Sequence, residues 1–163
     1  MLTYNTAFKL SPPLRSEDDR LAIIEGIQDG TIDAIASDHR ARSKDTKAQP
    51  FSAASVGASG IETLFSITLD LVHKKIIDIN KAISFLTINP AKIFGIDIPN
   101  LEEQKVADFI VFDEDEPYTI KKENLKTSPT PFDGKKIHGK ILATFINGQV
   151  AFMNQIFKNK IIK

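Results

Sequence analysis

Thr31-Ile32-Asp33-Ala34-Ile35-Ala36-Ser37-Asp38-His39 is the stretch on which the fold of this chain turns. Its first six residues are β-prone and apolar enough for a buried strand, and its last three place polar groups at that strand's end. Just upstream, Ser16-Glu17-Asp18-Asp19 offers a capping hydroxyl followed by early acids. Leu21, Ile23, Ile24 and Ile27 then recur at helical spacing, and Gly30 supplies a stop. The pattern predicts a helix over about 17–29 followed directly by a strand over 31–36.

Downstream, residues 40–60 read as a long loop that mixes Arg40, Arg42, Lys44 and Lys47 with Pro50, Gly57 and Gly60. A loop of that length inside a compact domain is usually functional or mobile. Helical periodicity returns at Ile61, Leu64, Phe65, Thr68, Leu69 and Val72, and again at Ala82, Ile83, Phe85 and Leu86, before Asn89-Pro90 and Gly95 break it. Two helices are therefore expected between 61 and 88. From about 106 the period becomes that of strands: Phe109-Ile110-Val111-Phe112, then 140–145 and 149–153 around Asn147-Gly148, a strong hairpin signal. The expected organisation is a βα segment at 1–97, a small β region at 104–153 and a basic tail at 154–163.

Composition narrows the function classes. The 163 residues carry 21 Lys and Arg against 21 Asp and Glu, so no global field draws in nucleic acid or anionic lipid. The absence of cysteine removes disulfides, thiolate metal sites and a cysteine nucleophile. Apolar runs such as 64–69 and 141–146 fall far below the roughly 20 residues that cross a bilayer. Met1-Leu2-Thr3-Tyr4 lacks the features of a secretory signal, so a cytoplasmic location is the expectation. A complete β/α barrel needs about 250 residues, and this chain can hold at most part of one.

Asp38-His39 is the most informative polar pair, because barrel enzymes set catalytic groups at the C-terminal ends of their strands. Asp38 can serve there as a base or a metal ligand, although a polar pair in that position is more often a turn or cap element. A metal needs three or four ligands, and neither His73 nor His138 has ligand-like spacing to Asp38. Both histidines read as surface or packing residues. Arg40, Arg42, Lys44 and Lys47 can gather an anionic substrate or form a solvated basic loop. Gly57-Ala58-Ser59-Gly60 precedes a helix but lacks the spacing of either nucleotide-binding glycine motif. Glu62 and Thr63 fit the capping of that helix.

Five blocks occur in a recognisable order: Phe8-Lys9-Leu10-Ser11-Pro12-Pro13-Leu14-Arg15, 29–39, Gly60-Ile61-Glu62-Thr63, Thr87-Ile88-Asn89-Pro90-Ala91-Lys92-Ile93-Phe94-Gly95, and Ala107-Asp108-Phe109-Ile110-Val111-Phe112-Asp113. In this order they resemble the C-terminal portion of a dihydroorotase of the amidohydrolase superfamily, from about Asn5 to Phe152. The Asn-Pro-Ala and Ala-Asp blocks recur in allantoinases and hydantoinases, so another cyclic amidohydrolase of that kind, with Arg42 serving a different acid or ureide, is an alternative reading. The resemblance implies an α/β fold: the last βα units of a metal-dependent-hydrolase barrel plus the C-terminal strands of a small β-sandwich domain. It also implies a pyrimidine-biosynthesis enzyme that interconverts carbamoyl-aspartate and dihydroorotate with zinc-activated hydroxide.

Of the family's metal ligands, which are a His-x-His pair, a carboxylated lysine, two further histidines and an aspartate, only the aspartate has a counterpart here. Asp38 matches it, and in the family that residue contacts a metal and shuttles the proton of the attacking water. Two substrate contacts depart from the pattern: Arg42 stands where the family's loop ends in histidine, and Ser11 stands where it favours asparagine. Val56 and Gly57 match a further substrate-contacting segment. The implied zinc belongs to the complete protein, with none held stably by this chain alone. The implied partners are the N-terminal part of the barrel, or a second copy of the chain. Some family members are non-catalytic partners of aspartate transcarbamoylase that have lost metal ligands, and the departures at 11 and 42 suit one of those too.

Overall fold

The structure is a computed structural model that describes residues 4–98, 100–127 and 129–161. Met1 to Thr3, part of the stretch read as lacking a signal, and the last two residues of the 154–163 tail lie outside the described residues.

Helix α1 spans Glu17–Asp29. Ser16 caps it reciprocally: its hydroxyl accepts from the Asp19 amide at 3.2 Å, and the Asp19 carboxylate accepts from the Ser16 amide at 3.0 Å. Gly30 ends it in the left-handed region at φ 89°. Of the apolar stripe, Ile27 is buried, whereas Leu21 and Ile23 remain 50% and 51% exposed. The stripe therefore faces a core at one end only.

The strand expected over 31–36 does not form a ladder. A strand is held by pairing, and among the described residues no neighbour runs alongside this segment. It is pinned instead by helices α4 (Ile79–Leu86) and α5 (Ile88–Phe94). The Ile35 amide donates to the Phe85 carbonyl at 3.2 Å, and Asn89 Nδ2 donates to the Asp33 carbonyl at 2.8 Å. The 40–60 loop is interrupted by one short helix, α2 (Lys44–Lys47), capped by Ser43.

Helix α3 (Leu64–His73) and α4 are the two helices expected between 61 and 88, and α5 is a third. The break falls at Thr87 (φ −130°, ψ −85°) rather than at Asn89-Pro90. Pro90 sits in the first turn of α5, where an amide would have no intrahelical partner and its loss is tolerated.

The sheet contains β1 (Phe109–Thr119), β2 (Lys136–Ile146) and β3 (Gln149–Met153), antiparallel in that order. Phe109 pairs with Phe145, Val111 with Ala143 and Ile146 with Gln149. Asn147 (φ 51°) and Gly148 (φ 74°) make the β2–β3 turn with both central residues at positive φ. Part of the tail, 155–161, is a helix, α6.

Ile27, Leu69, Ile77, Ala82 and Phe85 form the core, with Ile32, Ile35, Phe65 and Phe112 packed against it. Phe65 of α3 meets Phe112 of β1 edge to face at 4.9 Å, and Ser66 Oγ donates to the Gly139 carbonyl of β2 at 2.9 Å. Gly139 adopts φ 89°, and any Cβ there would run into the Leu69 side chain. Helix α3 therefore seats directly on the sheet, and the chain is α/β.

Candidate active site

Asp38 sits just beyond the pinned 31–37 segment, in the left-handed region at φ 40°, which short polar residues tolerate. Backbone contacts lay the segment after it against residues 57–61. The Arg40 amide donates to the Ala58 carbonyl at 2.9 Å. His39 Nδ1 accepts from the amides of Gly60 and Ile61, each at 3.2 Å. His39 is thus the anchor of the turn that opens toward α3.

Gly57 makes the close approach possible. At φ 111°, a Cβ on it would lie 2.8 Å from Arg40 Cβ and 3.0 Å from the Arg40 carbonyl oxygen. Its amide donates to the Lys9 carbonyl at 2.9 Å, which brings the Leu10-Ser11-Pro12 stretch alongside. From the other direction, Glu62 reaches across 64 residues: its carboxylate accepts from the amides of Lys126 at 3.0 Å and Thr127 at 3.1 Å. The Ser59 and Thr127 hydroxyls bond each other, and the Ser59 amide donates to the Pro129 carbonyl at 2.9 Å.

These ties enclose a cavity of about 220 Å3 lined by Leu10, Ser11, Pro12, Ser37, Asp38, 57–60, Pro131 and Phe132. Ser11, Asp38 and Gly57 come from three separate stretches of sequence and meet on its wall. Arg42 and Val56 do not line it. Arg42 Nε donates to the Val56 carbonyl at 2.8 Å, so the guanidinium braces the backbone just before Gly57. Arg40, in turn, donates from Nε to Asp38 Oδ1 at 3.1 Å.

Three further residues depart from the sequence expectation. Lys47 is not on a solvated basic loop: it is only 4% exposed, with Nζ donating to the carbonyls of Ser55 at 2.9 Å and Lys9 at 3.3 Å. Burial pushes its ammonium below the ordinary lysine range, and the charges of Lys9 and Arg42 push the same way. Thr63 stands at the N-cap of α3 but makes no side-chain cap bond; its hydroxyl donates to the Gly60 carbonyl at 3.1 Å. Glu62 serves the 126–127 segment rather than the helix. Pro131 and Phe132 were not legible as site residues, although the Pro129-Thr130-Pro131-Phe132-Asp133-Gly134 cluster of turn formers marks a loop that could have been flagged.

His73 and His138 pack against each other at 4.4 Å between ring centroids, with His73 Nε2 against the Glu114 carbonyl at 2.9 Å. Among the described residues no group of three or more His, Asp or Glu side chains could hold a metal ion. Asp38 already carries Arg40 on one oxygen. One carboxylate is not a zinc donor set, so the described residues taken alone do not fit zinc.

A carboxylate that lines a cavity at the end of an apolar segment packed among helices, beside a small antiparallel sheet, fits part of a β/α barrel enzyme. The chain belongs to the amidohydrolase family, whose model matches residues 9–151. It is 39% identical over 153 residues to the dihydroorotase of Clostridioides difficile and 41% identical over 155 residues to that of Clostridium acetobutylicum. Each match covers 93% of this chain, which spans only 36% and 37% of those relatives. Among solved structures, the L-hydantoinase (dihydropyrimidinase) of Arthrobacter aurescens superposes with a TM-score of 0.84 at 26% identity, over 92% of this chain and 35% of that one. The inactive dihydroorotase-like domain of the Chaetomium thermophilum CAD-like multifunctional protein shares the fold at a TM-score of 0.64 and 20% identity, over 91% of this chain and 42% of that one. No helix among the described residues is long and apolar enough to cross a membrane.

Proposed function

We propose that this chain supplies the C-terminal part of a dihydroorotase-type cyclic amide hydrolase of pyrimidine biosynthesis, acting in the cytoplasm on dihydroorotate and carbamoyl-aspartate. The observation that carries the reading is the meeting of Ser11, Asp38 and Gly57 on one cavity wall, in a chain about 40% identical to dihydroorotases. Residues 1–97 are assigned to the last βα units of the barrel, 104–153 to the strands of the small β domain and 154–163 to a tail. Asp38 holds and moves the proton of the attacking water and is the one metal ligand contributed from this chain. Zinc belongs to the assembled protein, with its other ligands outside these residues. Ser11 can donate to and accept from the substrate ring, the Val56–Gly57 backbone borders it, and Arg42 pairs the substrate carboxylate.

The rest of the barrel is the expected partner. An apolar trough of about 470 Å3 runs between α1, residues 32–37 and α3, lined by Ile23, Ile27, Ile32, Ile35, Leu64 and Ile67 among others. Parallel barrel strands are buried on both faces, so strands beside 32–37 would cover this trough and complete the ladder that the segment lacks.

A second reading is favoured by one contact, the Arg40 guanidinium on Asp38. A permanent cation on the proton-shuttling carboxylate suits a non-catalytic subunit that holds aspartate transcarbamoylase. The test is co-expression with the N-terminal barrel portion of a dihydroorotase, followed by zinc analysis after dialysis and an assay for carbamoyl-aspartate. Zinc with turnover is the expected result. A stable complex with neither would overturn the enzyme reading and favour the subunit. The chain by itself is expected to retain no stoichiometric zinc and to show no turnover.

A further inference from the structure

Lys47 is an expensive residue to bury. Its side chain is almost wholly enclosed, and among the described residues its ammonium meets only two backbone carbonyls and no carboxylate. Burying a charge without a counter-ion costs stability, and an apolar side chain of similar length would fill the same space at lower cost. Holding the fold together therefore does not explain a cation at this position.

Its contacts do suggest a purpose. The Lys9 carbonyl accepts both Lys47 Nζ at 3.3 Å and the Gly57 amide at 2.9 Å. The Ser55 carbonyl, one residue before Val56, accepts the same ammonium at 2.9 Å. The Ser55 amide donates to the Thr46 carbonyl at 3.0 Å, and Thr6 Oγ1 donates to the Lys47 carbonyl at 2.6 Å. One side chain thus joins the stretch leading to Ser11, the stretch leading to Val56–Gly57 and the short helix that follows Arg42. The charges of Lys9 and Arg42 both act on it. Lys9 and Arg42 thus lie close enough to Lys47 for their charges to add to its own, and among the described residues no carboxylate pairs with Lys47 to offset them.

We propose that Lys47 is a positioning residue for the anionic end of the site: it fixes the Ser11 and Val56–Gly57 segments relative to Arg42 and adds fixed positive charge behind them, selecting a ring that bears a carboxylate. The choice of ligand rests on the dihydroorotase reading, whereas the positioning role does not.

Lys47→Met keeps the length and removes the charge and the donors. In the chain alone, the urea midpoint should stay unchanged or rise, because the desolvation cost is relieved, while Gly57 amide exchange speeds up about tenfold or more. In the complex with the N-terminal portion, calorimetry should show dihydroorotate bound about tenfold or more weakly, and dihydrouracil, the same ring without the carboxylate, changed less than about twofold. A lowered midpoint with equal losses for both rings would reduce Lys47 to a structural residue and overturn the proposal. Unchanged Gly57 exchange together with unchanged dihydroorotate binding would overturn it as well. If the wild-type complex binds neither ring, the dihydroorotase reading falls, and Gly57 exchange alone decides whether Lys47 positions this segment.

Discussion

The Nε of Arg40 donates to Oδ1 of Asp38 at 3.1 Å, setting a guanidinium on the carboxylate that faces the cavity. The two side chains are 53% and 57% exposed, and an ion pair this open contributes about 0–1 kcal/mol. Arg40→Ala should therefore shift the urea unfolding free energy of the chain by less than about 1 kcal/mol. In the complex with the N-terminal barrel portion, the same variant should retain more zinc through dialysis, because the carboxylate no longer has a competing cation. Equal zinc in both proteins would show that Arg40 gives way freely.

Gly57 has no room for a side chain and holds a backbone conformation that L residues rarely adopt. Gly57→Ala should destabilise the chain by about 1–3 kcal/mol, the usual cost of such strain in a non-glycine residue. Urea denaturation measures it. The displacement should extend to Arg40, so amide exchange at Arg40, whose partner is the Ala58 carbonyl, should speed up with it.

For the Glu62 carboxyl, burial pushes the pKa up, but the amides of Lys126 and Thr127, the Thr127 hydroxyl and the Lys126 charge together outweigh it and hold the group below its ordinary value of 4.5. A carboxyl whose folded value is depressed contributes stability that is fully present above the unfolded value and is lost as pH falls through the folded one. Glu62→Gln should therefore be less stable than the wild type at pH 7, with the gap closing as pH drops below about 4.5. Urea midpoints of both proteins across that range check it. A gap that persists at low pH would mean that the charge of Glu62 is not what holds the 126–127 segment.

Arg42 and Asp38 should separate binding from turnover. On the proposed reading, Arg42→Ala removes a charge-assisted contact of about 1.5–3 kcal/mol, so a carboxylate-bearing ligand should bind about 10- to 150-fold more weakly in the assembled protein. Asp38→Asn should abolish turnover with far less effect on that affinity. Calorimetry with a dihydroorotate analogue reads the first and a carbamoyl-aspartate assay the second. Because Arg42 also braces the Val56 carbonyl, Arg42→Lys should recover only part of the affinity: a lysine supplies charge without the planar fork. Unchanged affinity in Arg42→Ala would leave the guanidinium as a brace alone.

Several elements were legible in the sequence because the groups that specify them lie within a few residues of one another. Ser16 and Asp19 cap α1 across three residues, and Asn147-Gly148 sets its hairpin through two consecutive positive φ values. Ser11 and Asp38 could be picked out from their motif blocks and Gly57 from a further segment that resembles the family's, but that they share a wall depends on the Gly57 amide reaching the Lys9 carbonyl. The tertiary structure alone decided the rest. The apolar 31–36 run reads as a strand, yet a ladder needs a neighbour, and the segment is held by Phe85 and Asn89 instead. Glu62 reads as a helix-capping acid until a segment 64 residues away presents two amides to it. Lys47 reads as a solvated charge until the Lys9 and Ser55 carbonyls close on its ammonium. Caps and tight turns are local in the chain, whereas burial, strand pairing and the partner of a charge depend on residues that meet only after folding.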